Sequence, residues 1–132
     1  MDEYIAQCPQ PLRTLLVEFD KRVRATCPDA TMSHSPSTDL EGWLDYALPG
    51  EAASAVVFAG VRFRRDKTSA TVALAKRPDH DPMEWVHENL GKVRRLPFAV
   101  GLPRPFRKDV GEDEWLYIAD LVRQACEKAR AG

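Results

Sequence analysis

Two consecutive stretches of the chain repeat with the period of two that marks a β-strand. In 57–65, Val61 and Phe63 alternate with Arg62 and Arg64; in 69–76, Ala70, Val72 and Leu74 alternate with Thr71, Ala73 and Ala75. The short polar connection Arg65-Asp66-Lys67-Thr68 between them predicts an antiparallel hairpin. Alternation places Arg62 and Arg64 on one face, where Lys76 of the second strand can join them.

The segments around the hairpin are read from the same two periodicities. Trp43 to Leu48 predicts a further strand, ended by Pro49-Gly50. Residues 96–102 are apolar but carry Pro97 and are followed by Pro103, which predicts an edge strand, with 106–110 pairing nearby. Ahead of the sheet, Pro9 and Pro11 open a helix whose Leu12, Leu15, Leu16, Phe19 and Val23 fall on one face as far as Cys27. Pro28 ends it, because the residue before a proline avoids the α region. Residues 2–7 predict one extra turn packing Tyr4 and Ile5, and 33–39 predict a loop. Asp81, Pro82, Glu84 and Gly91 read as N-cap, first helical residue, capping box and C-terminal glycine of a short inserted helix over 82–90, with Met83, Val86 and Leu90 inward. A last helix begins at Asp109 or Gly111. Glu112, Asp113 and Glu114 complement its positive end, and Trp115, Ile118, Val122, Ala125 and Ala129 form its apolar stripe. The expectation is a single α+β domain over 1–132: an antiparallel sheet of about four to five strands packed by N-terminal and C-terminal helices, with one short inserted helix.

Composition bounds the class. With 132 residues, 44% hydrophobic and 30% charged, the chain is long enough to bury about two thirds of its unfolded surface. No apolar run approaches the roughly 18 residues that a membrane span requires, and the N-terminus opens acidic, unlike a secretory signal. These features predict a cytoplasmic protein without a membrane partner. Cys8, Cys27 and Cys126 are odd in number and far apart, which predicts reduced thiols, with Cys27 and Cys126 packing as small apolar groups on helix stripes.

The opening Asp2-Glu3-Tyr4-Ile5, the helix from Pro11 and its end at Cys27-Pro28-Asp29-Ala30 resemble the start of the YdhG-like families of small, mostly bacterial domains. The stretch from Val61 to Leu74 and the late Trp115, Leu121-Val122, Ala125-Cys126 helix resemble a branch of that group with a basic hairpin. The resemblance spans most of the chain and implies terminal helices against an antiparallel sheet. It is carried by helix and strand patterning and brings no catalytic signature. Met32-Ser33-His34-Ser35-Pro36 stands where the better-known branch has a Gly-Met-Pro turn. That branch carries a frataxin-like iron-chaperone reading, but no residue here matches one of its iron ligands.

The chain holds little that points to a reaction. Glu84, His87 and Glu88 at helical spacing would supply one half of a carboxylate-bridged metal site, and a second half is missing. No serine lies in a Gly-x-Ser-x-Gly elbow and no glycine-rich phosphate loop occurs, so no catalytic residue, metal or cofactor is assigned. Charge is more informative. Residues 61–108 carry twelve basic and five acidic groups, a local excess of +7, while the segments on either side are acidic and the whole chain is −1. Guanidinium forks on a sheet face suit phosphate or carboxylate. Trp43, read as a pocket residue with Tyr46 on the same strand face, joins Arg62, Arg64 and Lys76 as the candidate ligand-binding set. The leading expectation is a noncatalytic binding or interaction domain for an anionic small molecule or protein partner, as monomer or homodimer. A nucleic-acid-binding module and a frataxin-like iron-handling protein are the alternatives. The plainer reading of the same arginines is a solvated face balanced by the acidic helices.

Overall fold

A computed structural model of the protein describes residues 3–34, 41–49, 56–66, 69–88, 96–102 and 110–131. The first helical turn, α1 (Glu3–Ala6), buries Ile5 and leads into α2 (Leu12–Thr26). The start of α2 is held from outside the helix: the Gln10 side-chain oxygen accepts the Thr14 N–H at 3.1 Å and its hydroxyl at 2.7 Å. Leu12, Leu15, Leu16, Phe19 and Val23 form its buried stripe, as their spacing predicts, and Cys27 closes the last turn by donating its N–H to the Val23 carbonyl at 2.8 Å.

The sheet has six strands, β1 (Thr31–His34), β2 (Glu41–Leu48), β3 (Val56–Arg64), β4 (Ala70–Leu74), β5 (His87–Glu88) and β6 (Phe98–Leu102), in the order β1-β2-β3-β4-β6-β5. Every neighbouring pair is antiparallel. The predicted hairpin is β3–β4, with Val61 opposite Val72 and Arg62 opposite Thr71. Its register against β2 jumps from Tyr46–Ala59 to Ala47–Val57, so Phe58 is the extra residue of a β-bulge and turns into the core beside Ala59. The helix α3 (Glu112–Ala131) follows, with Trp115, Ile118, Val122 and Ala125 buried. α2 and α3 pack together and against one sheet face, where Leu44, Tyr46, Val61, Phe63, Val72, Leu74, Val100 and Leu102 complete the core. The α+β class with terminal helices is as expected, and the strand count lies slightly above the expected range.

Three expectations need correction. Ser33 and His34, placed in a loop, belong to β1, whose residues are mostly exposed and so carry no burial signal in the sequence. The inserted helix is not formed over 82–88. Asp81 starts a tight turn in which the Glu84 N–H reaches the Asp81 carbonyl at 3.1 Å, and Glu84 has φ 56, a left-handed conformation that stops helix propagation. His87 and Glu88 then extend to pair with Ala99 and Phe98. β6 therefore lies between β4 and β5, not at the sheet edge that the flanking prolines predict. The predicted continuations at 89–90 and 103–109 lie outside the described residues.

The third correction concerns the thiols. Cys27, at the C-cap of α2, is disulfide-bonded to Cys126 of α3, 99 residues away, while Cys8 is buried and lies outside this bond. Both paired cysteines lie on the apolar stripes through which α2 and α3 meet, a proximity that spacing along the chain cannot express. No helix among the described residues is long and apolar enough to cross a membrane.

Candidate functional site

The helices cover one face of the sheet, and the other face carries Trp43, Arg62 and Arg64. Strand alternation sends Arg62 and Arg64 away from Val61 and Phe63, onto this outer face. Across the ladders, Arg64 stands opposite Glu41, and Arg62 stands between Trp43 of β2 and Thr71 of β4. Glu41, Arg62, Arg64, Ser69 and Thr71 line an open cleft of about 390 Å³ at the hairpin end of the sheet.

The two arginines differ in their electrostatic state. Arg64 is exposed and forks onto Asp66, both bonds being 3.0 Å. The Asp66 carboxylate, with Glu41 adding a smaller attraction, raises the Arg64 pKa and holds its charge in place. Arg62 is half-buried and makes no hydrogen bond or ion pair with any side chain among the described residues. A partly desolvated guanidinium without a carboxylate keeps its full donor fork for an incoming anion.

The remaining candidates are dispersed. Trp43 is buried to 6% exposure on the outer face, packed with Ala73 and Leu96, and its indole N–H donates to Asp45. Tyr46 points to the opposite face: its hydroxyl donates to Asp20 of α2 at 2.8 Å and its ring meets Phe19 edge-on at 5.6 Å. The expectation that Trp43 and Tyr46 share a face fails because the two positions differ by an odd number in a period-two strand. Lys76 is exposed beyond the end of β4, five residues past the Thr71 that pairs with Arg62, and is not among the residues lining the cleft. Lys67, Lys92, Arg94, Arg95, Arg104, Arg107 and Lys108 of the basic segment lie outside the described residues.

The Glu84–His87–Glu88 trio has no common face, since Glu84 sits in the turn and the other two are successive strand residues, with Glu88 paired to Arg77 at 2.9 Å. Among the described residues, no three His, Cys, Asp or Glu side chains converge as a metal site would require.

A second cleft, between α3 and the connection that follows β4, was not read from the sequence. It is lined by Asp79, His80, Arg123, Gln124, Glu127 and Lys128. Gln124, only 7% exposed, accepts the His80 N–H at 2.9 Å and donates to the His80 carbonyl at 2.7 Å. Lys128 is paired with Asp79, and Arg123 with Asp120 and Glu127. These groups satisfy one another, which makes the cleft a junction. The signal available beforehand was a glutamine standing directly before Ala125 on the buried side of an amphipathic helix. No protein family, curated protein or solved structure matches the chain.

Proposed function

We propose that the protein is a noncatalytic binding domain that recognises an anionic ligand on its outer sheet face, with Arg62 as the anchoring residue. The observation that carries this reading is the contrast between the arginines: Arg64 is neutralised by Asp66, whereas Arg62 is partly desolvated, faces the cleft and has no carboxylate partner among the described residues. The hydroxyls of Thr71 and Ser69 beside it supply further donors. The YdhG-like resemblance bears on the fold and adds no ligand to this reading.

The nucleic-acid alternative is served less well. Trp43 and Phe63 are buried to 6% and 2% exposure, so neither presents a ring on which bases can stack. The iron-handling alternative would draw on Glu84, His87 and Glu88, which do not converge.

Binding of phosphate, nucleotides, di- and tricarboxylates and an oligonucleotide at low salt tests the reading. Loss of one charge-assisted fork predicts that Arg62→Gln weakens the anion that binds by about tenfold to a hundredfold, while Arg64→Gln changes it little. No anion binding at low salt, or equal binding by Arg62→Gln, rejects the proposal. A steep salt slope confined to the oligonucleotide would favour the nucleic-acid alternative.

A further inference from the structure

The C-terminal half of α3 is held on two sides. On one side Cys126 is bonded to Cys27. Arg130, one turn further along, forks onto both carboxylate oxygens of Asp29 and places Nη2 at 3.4 Å from the Cys27 sulfur. On the other side Gln124 grips both backbone polar groups of His80. Lys128 donates to the Arg77 carbonyl at 2.6 Å and to Asp79 at 3.0 Å. Cys126 and Arg130 are four residues apart and share one face of the helix, and Gln124 and Lys128 share another. One stretch of helix therefore ties the end of α2 to the connection after β4.

The bond lies inside an apolar setting. Cys27 and Cys126 are 0% and 3% exposed among the same apolar residues that bury Val23, Val122 and Ala125, and reduced thiols occupy such places as small apolar groups. The Arg130–Asp29 pair that lies against the Cys27 sulfur has side chains that are 46% and 49% exposed. Surface pairs of this kind hold weakly, and helix ends open locally. Cys8 lies outside this arrangement, and burial pushes its thiol above the usual range, so it competes poorly in exchange.

We infer that Cys27–Cys126 is a reversible redox clamp on α3, and that its reduction by a dithiol loosens the connection from Arg77 to His80. The reductant supplies two electrons and two protons. Its first thiolate attacks the Cys126 sulfur, the S–S bond breaks, and Cys27 leaves as a thiolate beside the Arg130 guanidinium, which favours that departure. The second thiolate then attacks the mixed disulfide and closes the reductant into a cyclic disulfide, leaving Cys27 and Cys126 as thiols. Without the bond, the last turns of α3 keep their apolar contacts but lose their fixed point, and the grip of Gln124 and Lys128 on 77–80 opens with them.

Hydrogen exchange on the full chain, with and without dithiothreitol at neutral pH, tests the clamp. Reduction accelerates exchange of the His80 amide and of the α3 amides after Gln124 by about tenfold, leaves β3 and the first turns of α3 unchanged, and is reversed on reoxidation. Cys27→Ala/Cys126→Ala shows the reduced pattern and no longer responds to dithiothreitol. An unchanged His80 amide overturns the inference. So does simultaneous loss of protection throughout the chain, which would make the bond a structural staple, and so does peptide mapping of air-oxidised protein that finds all three thiols free.

Discussion

The hydroxyl of Tyr117 on α3 donates to the carboxylate of Asp81, whose other oxygen accepts the Val86 N–H at 3.3 Å. The Trp85 ring stands edge-on to Tyr117 at 5.2 Å. Asp81 thus fastens its own turn to a helix 36 residues away. Removing the hydroxyl by Tyr117→Phe is expected to cost about 1 kcal/mol, the net worth of a typical hydrogen bond, and Asp81→Ala about 2–3 kcal/mol because it leaves the buried hydroxyl and the turn amide without their acceptor. The double variant should cost less than the sum, since both changes break the same bond. Urea unfolding midpoints at constant slope measure all three.

This contact also explains where the sequence misleads. Asp81, Pro82 and Glu84 have the local chemistry of a helix start, and Asp81 does accept a backbone N–H, but from Val86 rather than from Glu84. The decisive partner, Tyr117, is remote in sequence. The long helices and the β3–β4 hairpin were legible because each has an apolar stripe of the right period facing the shared core. β1 was not, because its pairing is made by backbone groups while Thr31, Ser33 and His34 remain exposed. Of the candidate site, the common face of Arg62 and Arg64 followed from alternation, and the same arithmetic, applied to positions 43 and 46, separates Trp43 from Tyr46. That Arg64 is occupied by Asp66 while Arg62 is not depends on hairpin geometry, which residue spacing does not encode.

Two glycines should respond oppositely to alanine. A Cβ on Gly60 would lie 2.7 Å from the Leu44 carbonyl oxygen, a backbone atom of the neighbouring strand, and 3.1 Å from Leu96. Gly60→Ala is therefore expected to destabilise by about 1–3 kcal/mol through forced strand displacement. A Cβ on Gly101 meets nothing within 4 Å, and its backbone is not left-handed. Gly101→Ala should be neutral or stabilise by up to about 1 kcal/mol by restricting the unfolded chain. Thermal midpoints of the two variants, moving in opposite directions or one moving alone, check this.

Acid should weaken two ion pairs. The Arg130 fork lowers the Asp29 pKa, and the Arg22 hydrogen bond lowers that of Glu112. A carboxyl with a depressed folded-state pKa contributes stability above its unfolded value and loses it as pH falls through the folded one. The stability gap between wild type and Asp29→Asn, or Glu112→Gln, should accordingly be present at neutral pH and close as pH drops below the ordinary carboxylate range. Both groups are solvent-exposed, so the gaps are small and shrink with added salt. Denaturation midpoints recorded from about pH 7 to pH 2 follow the closure.

Trp43 should report occupancy of the outer face. It stands directly across the β2–β3 ladder from Arg62, and cross-strand neighbours on one face have Cβ atoms about 4.5–5.5 Å apart. An anion on the Arg62 fork changes the field at the indole, whose N–H is already oriented by Asp45. Trp115 lies on the helix side of the sheet, and Trp85 packs on Tyr117. Ligand addition is therefore expected to change the tryptophan emission of wild type and of Trp115→Phe. Trp43→Phe should still bind but show no emission change, and Arg62→Gln should show none because it does not bind. A signal that survives Trp43→Phe at full amplitude would move the bound anion away from Arg62.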